Sequence, residues 1–425
     1  MDFFNISTHK EKVKLSAIVF DKEIYPREHQ EHDQNLVSKY IKDIEVIEAA
    51  SNIYLSSDYS LLDGRHRQLA FETVYGKDYE IEVLIFETTD TKEKYALSNF
   101  HNSQSGCQLS QQAKRANAIT MYSKYEFTQE EIAKSLSTRK SNVSKWLTTI
   151  LAKEKEERDH KVFEMYLRAW NTQQSIADVI GVTQQTVANI IENLTNKVPG
   201  NDFCKNYKPF LYNIWNTPKQ DNSVSYFGAF PEIFMENLLW YHTNQMDIVY
   251  DPFGGGGTTV DVCKRMLRRY YVSDRKVMPG RENDIREHDI KNGLPEDLQK
   301  PNLVFIDPPY WKQAHNKYSD SSEDLGNMSL DDFNTSMKNL IDECISRKIE
   351  QIAIVIQPTQ YSNDFIWTDH IFDFDKMMSD KYRIDIRYIL PYSTQQYNAQ
   401  MVDKSKEINK CLCLNRDLVV WRYNK

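Results

Sequence analysis

The sequence predicts an α/β multidomain protein, and three observations carry that prediction. An apolar stretch (Met246, Ile248, Val249, Tyr250) runs into Asp251-Pro252-Phe253-Gly254-Gly255-Gly256-Gly257-Thr258-Thr259, so four of only 13 glycines stand together. A second apolar stretch, Leu303 to Ile306, ends in Asp307-Pro308-Pro309-Tyr310. Between residues 105 and about 195 the apolar spacing is helical throughout. Strand, tight turn and helix in succession describe a sheet covered by helices, preceded by a helical region and a smaller mixed one.

The bulk numbers bound the possibilities. At 425 residues the chain has room for two to four domains, and 40% hydrophobic with 12% aromatic content suits globular cores. No apolar stretch approaches a membrane span, and the N-terminus lacks the charged-then-apolar layout of a signal peptide, so a cytoplasmic protein without a membrane partner is expected. Six cysteines at 107, 204, 263, 344, 411 and 413 show no repeated spacing. Cys411-x-Cys413 alternates as along a strand rather than as a metal pair, and no metal site is expected. A net charge of −8 argues against non-specific wrapping of nucleic acid. One organised stretch is nevertheless basic: Lys114, Arg115, Lys124, Lys134, Arg139, Lys140 and Lys145 face only Glu126, Glu130 and Glu131 between residues 110 and 150.

Residues 1–104 alternate short strands and helices. Val13 to Val19 and Ile81 to Phe86 are expected strands, and Leu36 to Ala50 an expected helix. Tyr59 to Leu62 leads into Asp63-Gly64-Arg65-His66-Arg67 and then the helical Gln68 to Phe71. That order sets backbone donors and two arginines at a helix N-terminus, a natural anion site at Gly64, Arg65, His66 and Arg67.

Residues 105–200 carry two helix-turn-helix patterns in tandem. In the first, Thr128 to Leu136 and Ser141 to Leu147 flank a turn, with Ala133 where two helices would cross and Ile132, Leu136, Val143 and Leu147 as the apolar seam. Arg139, Lys140, Ser141, Asn142 and Lys145 would lie on the exposed face, where phosphates and base edges are reached. The second runs from Gln174 to Ile191, with Gly181 at the turn, Thr183 as N-cap, and Gln184, Gln185 and Asn189 offering amides suited to adenine edges. A polar linker, residues 195–202, closes the region.

Residues 201–425 hold the remaining strands: Arg269 to Ser273, Ile352 to Ile356, Ile384 to Leu390 and Leu418 to Trp421. Asp274 ends the strand after the glycine loop, about where an acid accepts both hydroxyls of a bound ribose. The loops 311–332 and 391–398 are left for further contacts.

These motifs resemble two known families. Asp63 to Arg67, with Tyr25-Pro26-Arg27 before it and Asn99-Phe100-His101-Asn102 after it, resembles the α+β N-terminal domain of the ParB partition family, and the first helix-turn-helix resembles the one that follows in those proteins. The resemblance implies a pocket for CTP or another nucleotide. The family's Gly-Glu-Arg-Arg is here Gly64-Arg65-His66-Arg67, and the missing glutamate counts against hydrolysis. A scaffold for dimerisation or DNA positioning, its arginines in structural ion pairs, stays open. A sulfiredoxin-type activity would need a cysteine at this turn, and none is present.

The glycine loop and Asp307 to Tyr310, preceded by Phe227-Gly228-Ala229-Phe230-Pro231, resemble amino-group DNA methyltransferases dependent on S-adenosylmethionine, with a Rossmann-like mixed sheet. The resemblance places Phe230, Pro231, Asp251, Pro252, Phe253, Gly254, Gly256, Thr258, Thr259, Asp274 and Asp289 around the cofactor, with Asp251 at its methionyl end and Asp289 at the adenine amino group. It gives Asp307, Pro308, Pro309 and Tyr310 the chemistry. A base amine is a poor nucleophile because its lone pair is delocalised into the ring. A carboxylate and a backbone carbonyl accepting its N–H bonds pull the nitrogen toward tetrahedral geometry, while Tyr310 offers a face to an extruded base. Trp311 either extends that face or is structural. Double-stranded DNA is the implied partner, and a homodimer stays open. Adenine N6 is favoured over cytosine N4 because Asp heads the motif. The alternatives are N4-cytosine methylation and a non-enzymatic ParB-type regulator or partition protein.

Overall fold

A computed structural model of the chain describes residues 5–27, 34–49, 53–104, 108–196, 205–217, 228–313, 321–361, 366–392 and 397–424. Phe227, Cys107, Cys204, most of the expected linker (197–202) and parts of the two candidate loops (314–320 and 393–396) lie outside the described residues. The chain folds as two compact units, Met1–Glu156 and Glu157–Lys425.

In the first unit β1 (Thr8–Lys14), β2 (Tyr54–Ser56), β3 (Leu61–Asp63) and β4 (Glu80–Phe86) form one sheet in the order β1-β4-β2-β3. The strand expected over residues 13–19 stops at Lys14. Lys14 pairs with Glu80, the first residue of β4; beyond it the Leu15 and Ser16 N–H groups donate to the carbonyls of Tyr79 and Lys77 as the chain leaves the ladder and turns as a 3-10 helix over Leu15–Ala17. The helix expected over 36–50 is two, α1 (Gln34–Lys42) and α2 (Ile44–Ala49). Next come α3 (Arg65–Tyr75), α4 (Thr91–Gln104), α5 (Gln111–Ser123), α6 (Gln129–Ser135) and α7 (Lys140–Leu167).

A buried polar seam fastens the helices to the sheet. Ser98 Oγ and Asn102 Nδ2 both donate to the Leu62 carbonyl, at 2.6 and 2.9 Å. Asn117 Nδ2 donates to Asn99 Oδ1 at 2.8 Å and to the Pro26 carbonyl at 3.2 Å. Such groups are tolerated inside only when paired, so the seam fixes one docking of α4 and α5. Ile132, Ala133, Leu136, Val143 and Leu147 then close a core with Tyr95 and Ala96 of α4.

The two helix-turn-helix patterns, expected in one region, fall in different units. The reason is α7: its 28 residues run without a break past the end of the first pattern. The helices of the second, α8 (Gln173–Ile180) and α9 (Gln184–Thr195), belong to the second unit. There α10 (Glu232–His242), α11 (Thr258–Met266), α12 (Leu330–Ser346), α13 (His370–Met377) and α14 (Ala399–Glu407) accompany a seven-stranded sheet. Its strands are β5 (Ile248–Asp251), β6 (Arg269–Asp274), β7 (Arg286–Glu287), β8 (Leu303–Ile306), β9 (Gln351–Ile356), β12 (Tyr382–Pro391) and β13 (Asn415–Tyr423). They lie in the order β12-β13-β9-β8-β5-β6-β7. A separate pair, β10 (Thr359–Tyr361) with β11 (Ile366–Thr368), stands apart.

From β7 to β9 neighbours are parallel, and β13 enters antiparallel between β9 and β12. Both faces are covered, which explains near-continuous apolar strands: Leu303 and Phe305 serve one core, Val304 and Ile306 the other. The Cys411-x-Cys413 segment precedes β13 instead of lying on a strand.

The chain between α7 and α8 is tied to the edge of this sheet. The Ala169 N–H donates to the Tyr270 carbonyl at 2.8 Å. Arg269 donates to the carbonyls of Tyr166 and Asn171, both at 3.0 Å, and Gln299 to that of Ala169 at 2.6 Å. Asp284 accepts from Arg168 at 3.0 Å, Lys264 at 2.6 Å and Tyr270 at 2.7 Å. Among the described residues no helix is long and apolar enough to cross a membrane.

Candidate active site

The site is a consequence of strand order. From β5 the chain passes to β6 on one side, while β8 lies on the other. The loops leaving β5 and β8 therefore diverge at the carboxyl ends of the strands, the crevice in which open α/β sheets take ligands. Asp251 ends β5 and Asp307 follows β8 directly, close enough for the Asp307 charge to help raise the proton affinity of Asp251.

Asp251 is 3% exposed. Its Oδ1 accepts the Phe253 N–H at 2.8 Å and its Oδ2 the Thr259 hydroxyl at 2.5 Å, so one side chain ties the start of the loop to the start of α11. Burial, outweighing those bonds, pushes its pKa from 3.8 up to about 7. Gly254 has no room for a side chain: a Cβ there would meet Val272 Cγ1 at 2.5 Å. Its N–H donates to the Ser273 carbonyl at 2.8 Å, which holds the loop against β6. Gly257 enters α11 with φ of +89°, a left-handed conformation that favours glycine. Asp274, at the end of β6, accepts the N–H groups of Gly255 at 2.9 Å and Lys276 at 3.0 Å. Burial raises its pKa as well.

His288 donates its N–H to the Asp274 carbonyl at 2.9 Å, bringing Asp289 one residue beyond that tie. Asp289 itself caps a 3-10 turn, accepting the Lys291 N–H at 2.9 Å. Phe230 is buried against Phe234 and Phe305, and Pro231 caps α10.

In the Asp307–Tyr310 segment, Pro308 is buried and the other three residues partly exposed. Burial pushes the Asp307 carboxyl from 3.8 up to about 7, against the pull of the Arg416 guanidinium and a hydrogen bond from Tyr310. Tyr310 is held in its neutral form, chiefly by burial and the neighbouring Asp307. Trp311 is structural: it is 4% exposed, and its Nε1 donates to the Met328 carbonyl at 2.9 Å.

Of two further residues at this edge, Tyr392 lies in the loop 391–398 set aside for further contacts, and Arg416 escaped the sequence reading. Tyr392, just past β12, donates its hydroxyl to Gln357 Oε1 at 2.9 Å. The Arg416 guanidinium lies 5.0 Å from the centre of the Tyr392 ring and 5.6 Å from that of Phe230. The only local signal was an arginine near the start of an apolar strand.

The other expected residues stand elsewhere. Arg139, Lys140, Ser141 and Lys145 are exposed on and just before α7, with Asn142 partly buried against Thr138 and Lys140 paired to Glu130 at 2.7 Å. Gln184, Gln185 and Asn189 are exposed on α9. At the other unit's glycine turn, Gly64 has φ of +104°. Arg67 pairs with Asp63 at 3.3 Å, and Arg65 donates to Gln68 at 2.8 Å and stacks over Phe20, so both arginines have structural partners. His66 is partly buried.

Residues 74–276 match the model of a DNA methylase family, N6_N4_Mtase. The matched span takes in the glycine loop and Asp274 and ends before Asp307. It supports a DNA methyltransferase of the N6-adenine or N4-cytosine class without deciding between them. No curated protein matches the chain. Among solved structures, a putative methyltransferase from Streptococcus mutans in complex with SAH is similar at 13% identity and a TM-score of 0.24, over 46% of this chain and 99% of its own. An rRNA methylase from Streptococcus thermophilus is similar at 11% identity and 0.28, over 46% and 98%. A truncated chromosome-partitioning protein ParB from Caulobacter crescentus, complexed with CTP-gamma-S, is similar at 15% identity and 0.19, over 33% and 77%. These likenesses are too distant to carry function.

Proposed function

We propose that the chain methylates the N6 amino group of adenine in double-stranded DNA with S-adenosylmethionine as donor. The observation that carries this is the pairing of strand ends: an acid-organised glycine loop after β5 beside Asp307-Pro308-Pro309-Tyr310 after β8. The residues present fit the cofactor. The glycine loop lies close against β6 at Gly254, and Asp274 keeps carboxylate lone-pair capacity for a vicinal diol after accepting backbone N–H groups. Asp251, Asp274 and the loop would hold it, with Phe230, Pro231 and Asp289 around it. When bound, it supplies an electrophilic methyl group.

The chain's own residues do the rest. The Asp307 carboxylate and the Pro308 carbonyl accept the two N–H bonds of the target amine, which frees its lone pair. Tyr310 stacks on the extruded base, and Asp307 takes up the proton the amine must lose. Asp307 must be ionised to accept, so the reaction weakens as pH falls below about 7.

DNA is held by the cations of α6 and α7, since residues 172–195 contain no lysine or arginine and contribute only amides to base edges. Sequencing that detects base modification, on DNA from cells expressing the chain or its Asp307→Ala form, tests the reading. N6-methyladenine at a defined sequence, absent with the variant, is expected. N4-methylcytosine would correct the base, and no mark from soluble protein would refute the reading.

A further inference from the structure

We propose that Arg416 is a positioning residue for methyl transfer, the fixed cation that Asp307 and Tyr310 work against when the target base fills the pocket. This rests on the methyltransferase reading and adds a residue to its machinery.

Register puts Arg416 there. β13 runs antiparallel to β9, with Asp417 opposite Ile356, the last residue of β9. Arg416 therefore stands one residue beyond the carboxyl end of a parallel strand, on the edge of the sheet that carries Asp307.

Its surroundings are unusual for an arginine. It is 5% exposed, its Nε has no hydrogen-bond partner, and no carboxylate among the described residues lies within ion-pair distance. The adjacent Asp417 is taken by Arg387 at 3.1 Å. Its guanidinium is hydrogen-bonded to Tyr310, but a buried guanidinium without a carboxylate partner is destabilising by several kcal/mol unless something compensates it. What faces it is the site itself: the Phe230 and Tyr392 rings at 5.6 and 5.0 Å, the hydroxyls of Tyr310 and Tyr392, and the Asp307 carboxyl. The titratable groups linked to Asp307 are thus Arg416 from β13 and Tyr310 from its own loop, which lower its proton affinity, and Asp251 from β5 and Tyr392 just past β12, whose proton affinity it raises. Of these four, only Arg416 is a cation. It opposes the desolvation that the base completes on entry.

The test is the pH dependence of single-turnover methyl transfer by the full-length protein, with labelled S-adenosylmethionine and unmodified DNA. Saturating cofactor separates Asp307 from Asp251, whose titration acts on cofactor affinity. The wild-type rate is expected to fall below about pH 7. Arg416→Gln should move that fall upward by about one pH value, with a rate roughly fivefold lower at pH 7 and recovery by pH 9. Arg416→Lys, which keeps the charge, should leave the fall near its wild-type position.

A Gln profile coincident with wild type, or a loss equal at every pH, would overturn the proposal. If the Gln form does not fold, the Lys form decides: a profile moved upward overturns the proposal, and one in place supports it. A wild-type protein inactive at every pH would take down the methyltransferase reading and this proposal together, whereas an active wild type with an unshifted variant would remove only the role of Arg416.

Discussion

Replacing Asp251 by Asn should stabilise the cofactor-free protein, and only at neutral to alkaline pH. The carboxyl is 3% exposed and its pKa is pushed from 3.8 to about 7, because burial disfavours the charge more than Phe253 and Thr259 favour it. The sign follows from proton uptake. Between those two values the folded state binds more protons at this site than the unfolded chain does, so stability falls as pH rises from about 4 to about 7 and stays lowered above. The difference corresponds to at most about 4 kcal/mol, of which relaxation around the site leaves about 2 kcal/mol. Asn keeps the shape and an acceptor for the Phe253 N–H without the charge. Thermal unfolding should therefore give Asp251→Asn a Tm higher by roughly 4–8 °C at pH 8, and none of that gain at pH 4. A Tm difference independent of pH, or a destabilised variant at pH 8, would refute the reasoning. The same variant should bind S-adenosylmethionine more weakly.

Gly254→Ala should abolish cofactor binding and lower stability by about 1–3 kcal/mol, since its Cβ would meet Val272 at 2.5 Å; isothermal calorimetry with wild-type affinity would contradict the packing argument. A fragment beginning at Glu157 should fold and bind S-adenosylmethionine, whereas one beginning at 203 should be less stable because it loses Arg168, Ala169 and the ties to Arg269, Gln299 and Asp284. Equal melting temperatures for the two fragments would show those ties to be idle. The Glu157 fragment should also bind DNA with a shallower salt dependence than the full chain, lacking Arg139, Lys140 and Lys145.

The two strand ends were legible in the sequence because their chemistry forces composition. Only glycine fits against Val272 at position 254, and only a short-range motif brings a carboxylate, a free carbonyl and an aromatic ring together at 307–310. Strands buried on both faces, such as Leu303 to Ile306, announced themselves as unbroken apolar runs.

What depends on register was not legible. Arg416 follows Asp307 by 109 residues, and only the antiparallel pairing of β13 with β9 returns it to the site. The end of β1 at Lys14 likewise depends on where β4 begins, which Val13 to Val19 do not encode. The division of the chain inside α7 had a weak signal, since residues 140–167 contain neither glycine nor proline to break the helix. The grip of Arg269 and Gln299 on residues 166–171 had none, because polar side chains donating to distant carbonyls leave no spacing to read.

The most direct measurement is transfer of labelled methyl groups from S-adenosylmethionine to unmodified DNA by purified full-length protein, wild type beside Asp307→Asn. Asn keeps the size of the side chain and an acceptor oxygen but has neither the charge nor the capacity to take up the proton the amine must lose. The account predicts transfer by the wild type and a rate lower by at least a hundredfold in the variant, with cofactor affinity within a few fold. Equal rates, or loss of cofactor binding as the cause of inactivity, would contradict it.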